Sequence, residues 1–317
     1  MTEGNDGKTN APPTPTEAAQ SRAAALWAIW WPMLRTMLSL LRRSGLRLFL
    51  IAFVMSLLQL ATVPLMVPVT WVLQHCGIES PMYWWPTLAL FGATAMVLSG
   101  PIAAGYSLIV HQVLGGEKGR VLTLFVGFRT LRLFLRLATV SVALFLSDYG
   151  LNLLWSYLPW DFCWDYFSNI VTPGSPLDEL LGHIPALGWF IGEFHFATKT
   201  LILLPIQWAL LEVIIGGKSW PKALAGSARL AWRHKHLALL LLGVVLVLSL
   251  DTWLRALLPH RQDYFEGYSY IVYWLVDWGG LAGHAAITCA VTTVNTAALV
   301  VIYHAMRTEA APTAETA

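Results

Sequence analysis

Asp148 is the residue whose type and place could most readily do chemistry, because it is an acid inside the apolar run LRLATVSVALFLSDYGLNLLW. It stands 12 residues past Arg136, about 18 Å along a helix that rises 1.5 Å per residue, which puts it near the middle of a bilayer. A charge at that depth faces a protein interior or a wet cavity. With Asn295 and Thr292 on a later apolar run, it could form a midplane polar site for a proton or cation. The plainer reading, which is preferred, is a hydrogen-bonded carboxyl that holds helices together. Glu193, His195 and Lys199 look like a transport triad by residue type. A span ending at Ile215 begins near Phe196, however, so the first two fall at headgroup level and Lys199 snorkels outward. Asp251 and Arg255 are four residues apart, share a helix face and are expected to pair.

Other chemistries find less support. Cys76 and Cys163 could oxidise to a disulfide if both lie outside. His75, Cys76, Cys163 and His183 have no zinc-type spacing, so no metal or other cofactor is expected. Ser227 follows Gly226 within a helical pattern rather than a strand-to-helix elbow, and no nucleophile and base stand at usable spacing. The chain is read as a non-enzyme.

The elements that must position these residues follow from composition. Of 317 residues, 56% are hydrophobic and only 12% charged, with mean hydropathy +0.59, more apolar surface than one soluble core can bury. Lipid must be the solvent. A net charge of +2 with dispersed Lys and Arg gives no footprint for nucleic acid. The apolar runs predict six spans, at Leu48 to Leu73, Trp84 to Leu108, Leu135 to Leu154, Phe194 to Ile215, Leu237 to Leu258 and Leu281 to Tyr303. The expected fold is therefore an all-α integral membrane bundle of six transmembrane helices.

Charge orients it. On this map 17 of the 20 Lys and Arg lie on the side that holds both termini, which the positive-inside rule makes the cytoplasm. Trp71, Trp84, Trp85, Trp155, Trp160, Trp164, Trp189, Trp253, Trp274 and Trp278 gather at the outer boundary, where an amphipathic ring sits half wet. The segment from Asp263 to Trp278 is too aromatic for a loose loop and too short to span, and is expected to lie on the outer surface or to pack across the helix ends. Residues 1–20 and 307–317 are polar and Pro/Ala/Thr-rich, and read as disordered cytoplasmic tails. The start is not a signal peptide, so the first span is expected to act as an uncleaved insertion signal.

Between the tails, residues 21–306 divide into three units, 21–114, 115–215 and 216–306. Each opens with a basic stretch of helical apolar spacing before spans 1, 3 and 5: Leu26, Trp30, Leu34, Met37 and Leu41; Val121, Leu124, Phe125, Phe128 and Leu131; Trp220, Ala223, Leu224, Ser227 and Leu230. These are predicted to be amphipathic interfacial helices whose Arg129, Arg132, Arg136, Lys222, Arg229 and Arg233 meet anionic headgroups on the cytoplasmic face. Paired glycines recur at Gly115-Gly116 and Gly216-Gly217, each closing an even-numbered span. Gly92, Ala95, Ser99, Ala103 and Ser107, and Ala285, Cys289, Thr292 and Thr296, make small-residue faces for close helix approach. Pro64, Pro68, Pro101 and Pro205 are expected to kink their spans.

Gly100-Pro101-Ile102-Ala103-Ala104-Gly105-Tyr106, Gly115-Gly116-Glu117 and Leu124-Phe125-Val126-Gly127-Phe128-Arg129 resemble the signature of uncharacterised bacterial six-span proteins of YciC-like and DUF type. The segment Ser219 to Arg229 is similar to their second amphipathic block, and the arrangement also resembles the membrane domain fused to some glycerophosphodiester phosphodiesterases. The resemblance implies a bacterial inner-membrane protein and supplies no catalytic residues. Two functions stay open: a non-enzymatic protein that engages lipid, a membrane-protein partner or a second copy of itself in envelope maintenance, which is preferred, or a transporter or lipid-handling permease with a midplane polar site. A polar cavity reaching the midplane favours the second, and a dry, tightly packed bundle the first.

The charge map makes one direct prediction. A single cysteine near Asp178 should react with an impermeant thiol reagent applied from outside, and one near Arg120 should not; the reverse pattern rejects this orientation.

Overall fold

The structure, a computed structural model, describes residues 15–60, 84–156, 196–249 and 270–310. Among these residues the chain is helical apart from short turns, without a strand. In order come α1 (Pro15–Leu60), α2 (Trp84–Leu114), a 3-10 helix (Val121–Phe128), α3 (Leu131–Ser156), a broken helix α4 (Phe196–Ile214), α5 (Trp220–Arg233), α6 (Lys235–Ser249) and α7 (Tyr270–Ala310). Four helical stretches are long and apolar enough to cross a membrane: Gly92–Leu114, Leu131–Trp155, Phe196–Ile214 and Ala282–Thr308. The bent pair α5 and α6 makes a fifth if counted as one span. The first predicted span is helical as far as Leu60 and the fifth as far as Ser249; their remainders lie outside the described residues. So do Cys76, Cys163, His75, His183, Glu193, Asp251, Arg255, Pro64 and Pro68.

The outer surface is what lipid requires. Leu50, Phe53 and Leu57 on α1, Leu146 and Leu154 on α3, Leu201 and Ile202 on α4 and Val247 on α6 are exposed. In water each would forgo about 25 cal/mol per Å² of buried apolar area, whereas against acyl chains they lose nothing. The interior joins Leu48, Ile51 and Met55 of α1 to Tyr106, Ile109 and Val110 of α2, Leu237 and Leu241 of α6, and Val300, Ile302 and Met306 of α7, all around the fully buried Trp208. A second cluster, Ala104, Leu137, Val140, Ala209, Val213 and Ala223, packs α2, α3, α4 and α5 together. The phenol of Tyr106 lies 3.1 Å from the Leu48 carbonyl and 3.2 Å from the Thr293 hydroxyl, so its polar tip is satisfied in the core.

The three basic stretches take three different forms. The first is not a separate helix: α1 runs unbroken for 46 residues through Pro32 into the first span, because nothing between Met33 and Leu48 breaks a helix. The second is a 3-10 helix, closed by Thr123 N–H to Arg120 O at 2.9 Å and Arg129 N–H to Val126 O at 3.0 Å. Its tight wind presses Leu124 and Gly127 onto α2. A Cβ on Gly105 would stand 2.4 Å from the Leu124 carbonyl oxygen, and one on Gly127 would stand 2.8 Å from the Pro101 ring. The third is an α-helix, α5, which buries Ala223, Ser227 and Ala231 at four-residue intervals and turns 98° into α6. It lies across the span it precedes.

Three further features refine the expected element bounds. Helix α1 begins at Pro15 and α7 ends at Ala310, so residues 15–20 and 307–310 are helical. Residues 270–278 of the aromatic outer segment are the first turns of α7; residues 263–269 lie outside the described region. Pro101 sits inside an unbroken helix, while Pro205 breaks its own into helical residues 196–203, a 3-10 turn (Leu204–Ile206) and Ala209–Ile214. Gly116 and Gly217, one from each glycine pair, both adopt positive φ, +85° and +63°, the left-handed conformation that ends a helix and that only glycine adopts without strain.

Ser227 repairs the break in α4. Its hydroxyl donates to the Pro205 carbonyl at 2.7 Å and accepts the Trp208 N–H at 3.2 Å, the second bond fully buried. Freed backbone groups at membrane depth must find protein partners, and here one side chain from α5 serves both. Ser227→Val should therefore cost about 2 kcal/mol, the penalty of leaving buried amide groups unmade. Thermal unfolding in detergent reads it, and a variant as stable as the parent would show that the hydroxyl is dispensable.

Candidate functional site

Two polar constellations stand out among the described residues. The first lines a cavity of about 320 Å³ between α1, α2, α3 and α4. Small residues make the room: Ser99, Gly100 and Ala103 of α2 face Ser141, Leu144 and Phe145 of α3, with Leu203, Gln207 and Leu210 of α4 and Gln59 of α1 completing the wall. Helices α2 and α3 touch where Gly100 meets Ser141, since a Cβ on Gly100 would fall 1.8 Å from the Ser141 hydroxyl. Beside that pinch, small side chains opposite small side chains leave the space open.

Asp148 lines this cavity. It stands 17 residues beyond Leu131, about 25 Å along α3, in the half of the helix remote from the basic end rather than at the midpoint. Its Oδ1 pairs with Lys199 Nζ at 3.1 Å, and its Oδ2 accepts from Asn152 Nδ2 at 3.2 Å. Lys199 thus bridges α4 to α3 and is not merely an outward-reaching anchor; its ammonium also lies 6.0 Å from the centre of the Phe196 ring. Asn295 and Thr292 do not join Asp148, for neither lines the cavity. Asn295 keeps a buried side-chain oxygen without a hydrogen-bond partner, while its neighbour Thr293 meets Tyr106.

The second constellation went unread in the sequence. Glu212 of α4 is 1% exposed. Its Oε1 accepts from Arg307 Nη2 at 2.8 Å and from the Tyr303 hydroxyl at 3.1 Å, Tyr303 in turn accepts from Arg307 Nε at 3.2 Å, and Lys218 pairs with Oε2. Glycines clear the space: a Cβ on Gly216 would lie 3.0 Å from the Arg307 guanidinium, and one on Gly226 would lie 2.8 Å from Lys218 Nζ. The signal available in sequence was a single acid in the apolar stretch ALLEVIIGG; nothing local names its partner 95 residues away.

The expected headgroup contacts divide. Arg129, Arg132, Lys222, Arg229 and Arg233 are exposed, as an interfacial role requires. Arg136 instead donates to the Gly217 carbonyl at 3.2 Å, and Arg47 donates to the Gly119 carbonyl. These two arginines tie the glycine-rich turns after α2 and α4 to other helices. The exposed Leu122, Phe125 and Phe128 supply the apolar side of the second basic stretch.

No family model, curated protein or solved structure matches the chain.

The Glu212 cluster makes an asymmetric prediction. Glu212 cannot reach solvent, whereas Lys218 and Arg307 are each more than a third exposed and can be hydrated if left alone. Breaking a buried pair is costly mainly through the charge that stays buried, so Arg307→Met together with Lys218→Met should destabilise by about 3 kcal/mol, and Glu212→Gln by clearly less. Chemical denaturation in mixed micelles ranks the two; equal losses would overturn the argument from hydration.

Proposed function

We propose that the chain is a six-span, non-enzymatic integral membrane protein that takes up an amphipathic, lipid-like molecule in the cavity lined by Asp148. The observation that carries this reading is the cavity itself. About 320 Å³ of space opens among the helices, a volume at the lower end of the range for small-molecule sites. Its walls combine apolar Met96, Leu144, Phe145, Leu203 and Leu210 with polar Gln59, Ser99, Ser141, Gln207 and Asp148, the combination an amphiphile needs. The space is open enough for one acyl chain and too small for a folded partner.

The rest of the reading concerns placement. The six spans are the four complete ones, the first span of which α1 supplies the start, and the fifth of which α6 supplies the start. The basic end, with Arg129, Arg132, Lys222, Arg229 and Arg233 exposed, faces the anionic cytoplasmic leaflet, where each base contributes about 1 kcal/mol of attraction. Both termini then lie on the cytoplasmic side of a bacterial inner membrane, and envelope lipid upkeep is the process that such a protein serves. The open cavity favours this lipid-handling role over a purely structural one.

A phospholipid carrying a photoreactive group in its acyl chain tests it. After irradiation, label should concentrate on cavity-wall peptides from α2, α3 and α4, and Leu144→Trp, which fills the space, should reduce that label several-fold while leaving the melting temperature within a few degrees. Label spread evenly over outward residues such as Leu146 and Leu154, or unchanged by the tryptophan, would overturn the proposal.

A further inference from the structure

The charges at the cavity suggest what its occupant carries. Asp148 is the one charged residue among the described residues that line it, and its carboxylate is already matched by Lys199 at 3.1 Å and Asn152 at 3.2 Å. The pair lies toward the far end of α3, eight residues before Ser156, about 12 Å from that helix end and so within reach of a headgroup. Asp148 is part exposed, Lys199 less so.

In a medium of low dielectric, separating these two charges without replacement is costly, because each would be left unpaired. An anionic headgroup drawn to Lys199 must displace Asp148 and leave a carboxylate beside a second negative charge. A cationic one drawn to Asp148 strands Lys199. A zwitterion avoids both penalties, since its positive group can take Asp148 while its negative group takes Lys199, and no net charge enters or leaves. The present partner of Asp148 is an ammonium with three N–H donors. A primary ammonium reproduces those hydrogen bonds, whereas a quaternary ammonium has no N–H to donate.

Resting on the lipid-handling reading above, we propose that the Asp148–Lys199 pair selects a zwitterionic amphiphile with a primary ammonium and a phosphate, the chemistry of a phosphoethanolamine headgroup. The ion pair opens on binding and each member closes onto the opposite charge of the headgroup, while the acyl chain fills the space between Ala103, Leu144 and Leu203.

Three phospholipids with identical photoreactive acyl chains, bearing phosphoethanolamine, phosphocholine or phosphoglycerol, test this on the purified full chain in nanodiscs. Labelling of the cavity wall should favour the phosphoethanolamine lipid at least five-fold over the other two. Asp148→Asn, which leaves Lys199 alone, should shift the preference to the phosphoglycerol lipid, and the exchange of Asp148→Lys with Lys199→Asp should restore the original order. Glycerophosphoethanolamine, the same phosphodiester headgroup without acyl chains, should not compete at the lipid's concentration; if it displaces the lipid equally well, the occupant is a soluble zwitterion and the lipid assignment is overturned. Equal labelling of the wall by all three lipids in the parent protein overturns the headgroup inference and leaves the cavity reading standing. Absence of wall labelling with every lipid overturns the cavity reading itself. The parent comparison decides without any variant having to fold.

Discussion

A single buried carboxylate sets the order of one end of this molecule. Glu212 sits on the last turn of α4 with almost no exposure, and a buried carboxylate needs positive charge and hydrogen-bond donors around it. Arg307 comes to it from the end of α7, Lys218 from the turn leading into α5, and Tyr303 closes the hydrogen-bonded ring. The arrangement fixes where α4 stops, where α5 starts and how the last helix lies against both. Its neighbours are chosen accordingly: Gly216 and Gly226 carry no side chain where the cluster needs space, and Arg136 grips the adjacent Gly217 carbonyl.

Deeper in the bundle a different constraint takes over. Lipid tails are as apolar as leucine, so helices gain little by mere hydrophobic contact and must associate through close packing and hydrogen bonds. Gly92 against Phe145, Gly100 against Ser141, Gly105 against Leu124 and Gly127 against Pro101 are the places where α2 is approached closely. The pinch at Gly100 and Ser141 and the broken α4 opposite it frame the cavity. That break survives because Ser227 satisfies both backbone groups beside Pro205, which allows Gln207 to face the cavity rather than continue a regular helix.

The site was half legible beforehand. Asp148 announces itself, since an acid among leucines in a span is rare and meaningful. Its partner does not, because Lys199 read alone has an easy outward path, and only the packing of α4 on α3 gives it a nearer one. Asn295 and Thr292 share only an expected depth with Asp148, and depth says nothing of direction: the two lie on α7 and neither lines the cavity, while Thr293, next to Thr292, is the residue that meets Tyr106. Glu212 carries no such signal, because its sequence neighbours, an apolar stretch and the glycine-rich turn, do not show which charges come to it from α7.

Periodicity, run length and glycine placement are properties of neighbouring residues, and these the chain states by itself: helical elements throughout the described residues, apolar runs of membrane length, paired glycines that end two helices in the left-handed conformation, and a basic bias toward one side. Which charges meet, whether a proline bends or breaks its helix, and whether small side chains close on one another or leave a void depend on partners tens to hundreds of residues away. Pro101 and Pro205 read alike in sequence. Only the second leaves a broken helix, with Ser227 of α5 bonded to its freed backbone groups, because the energy of a backbone group in lipid is decided by whoever stands next to it.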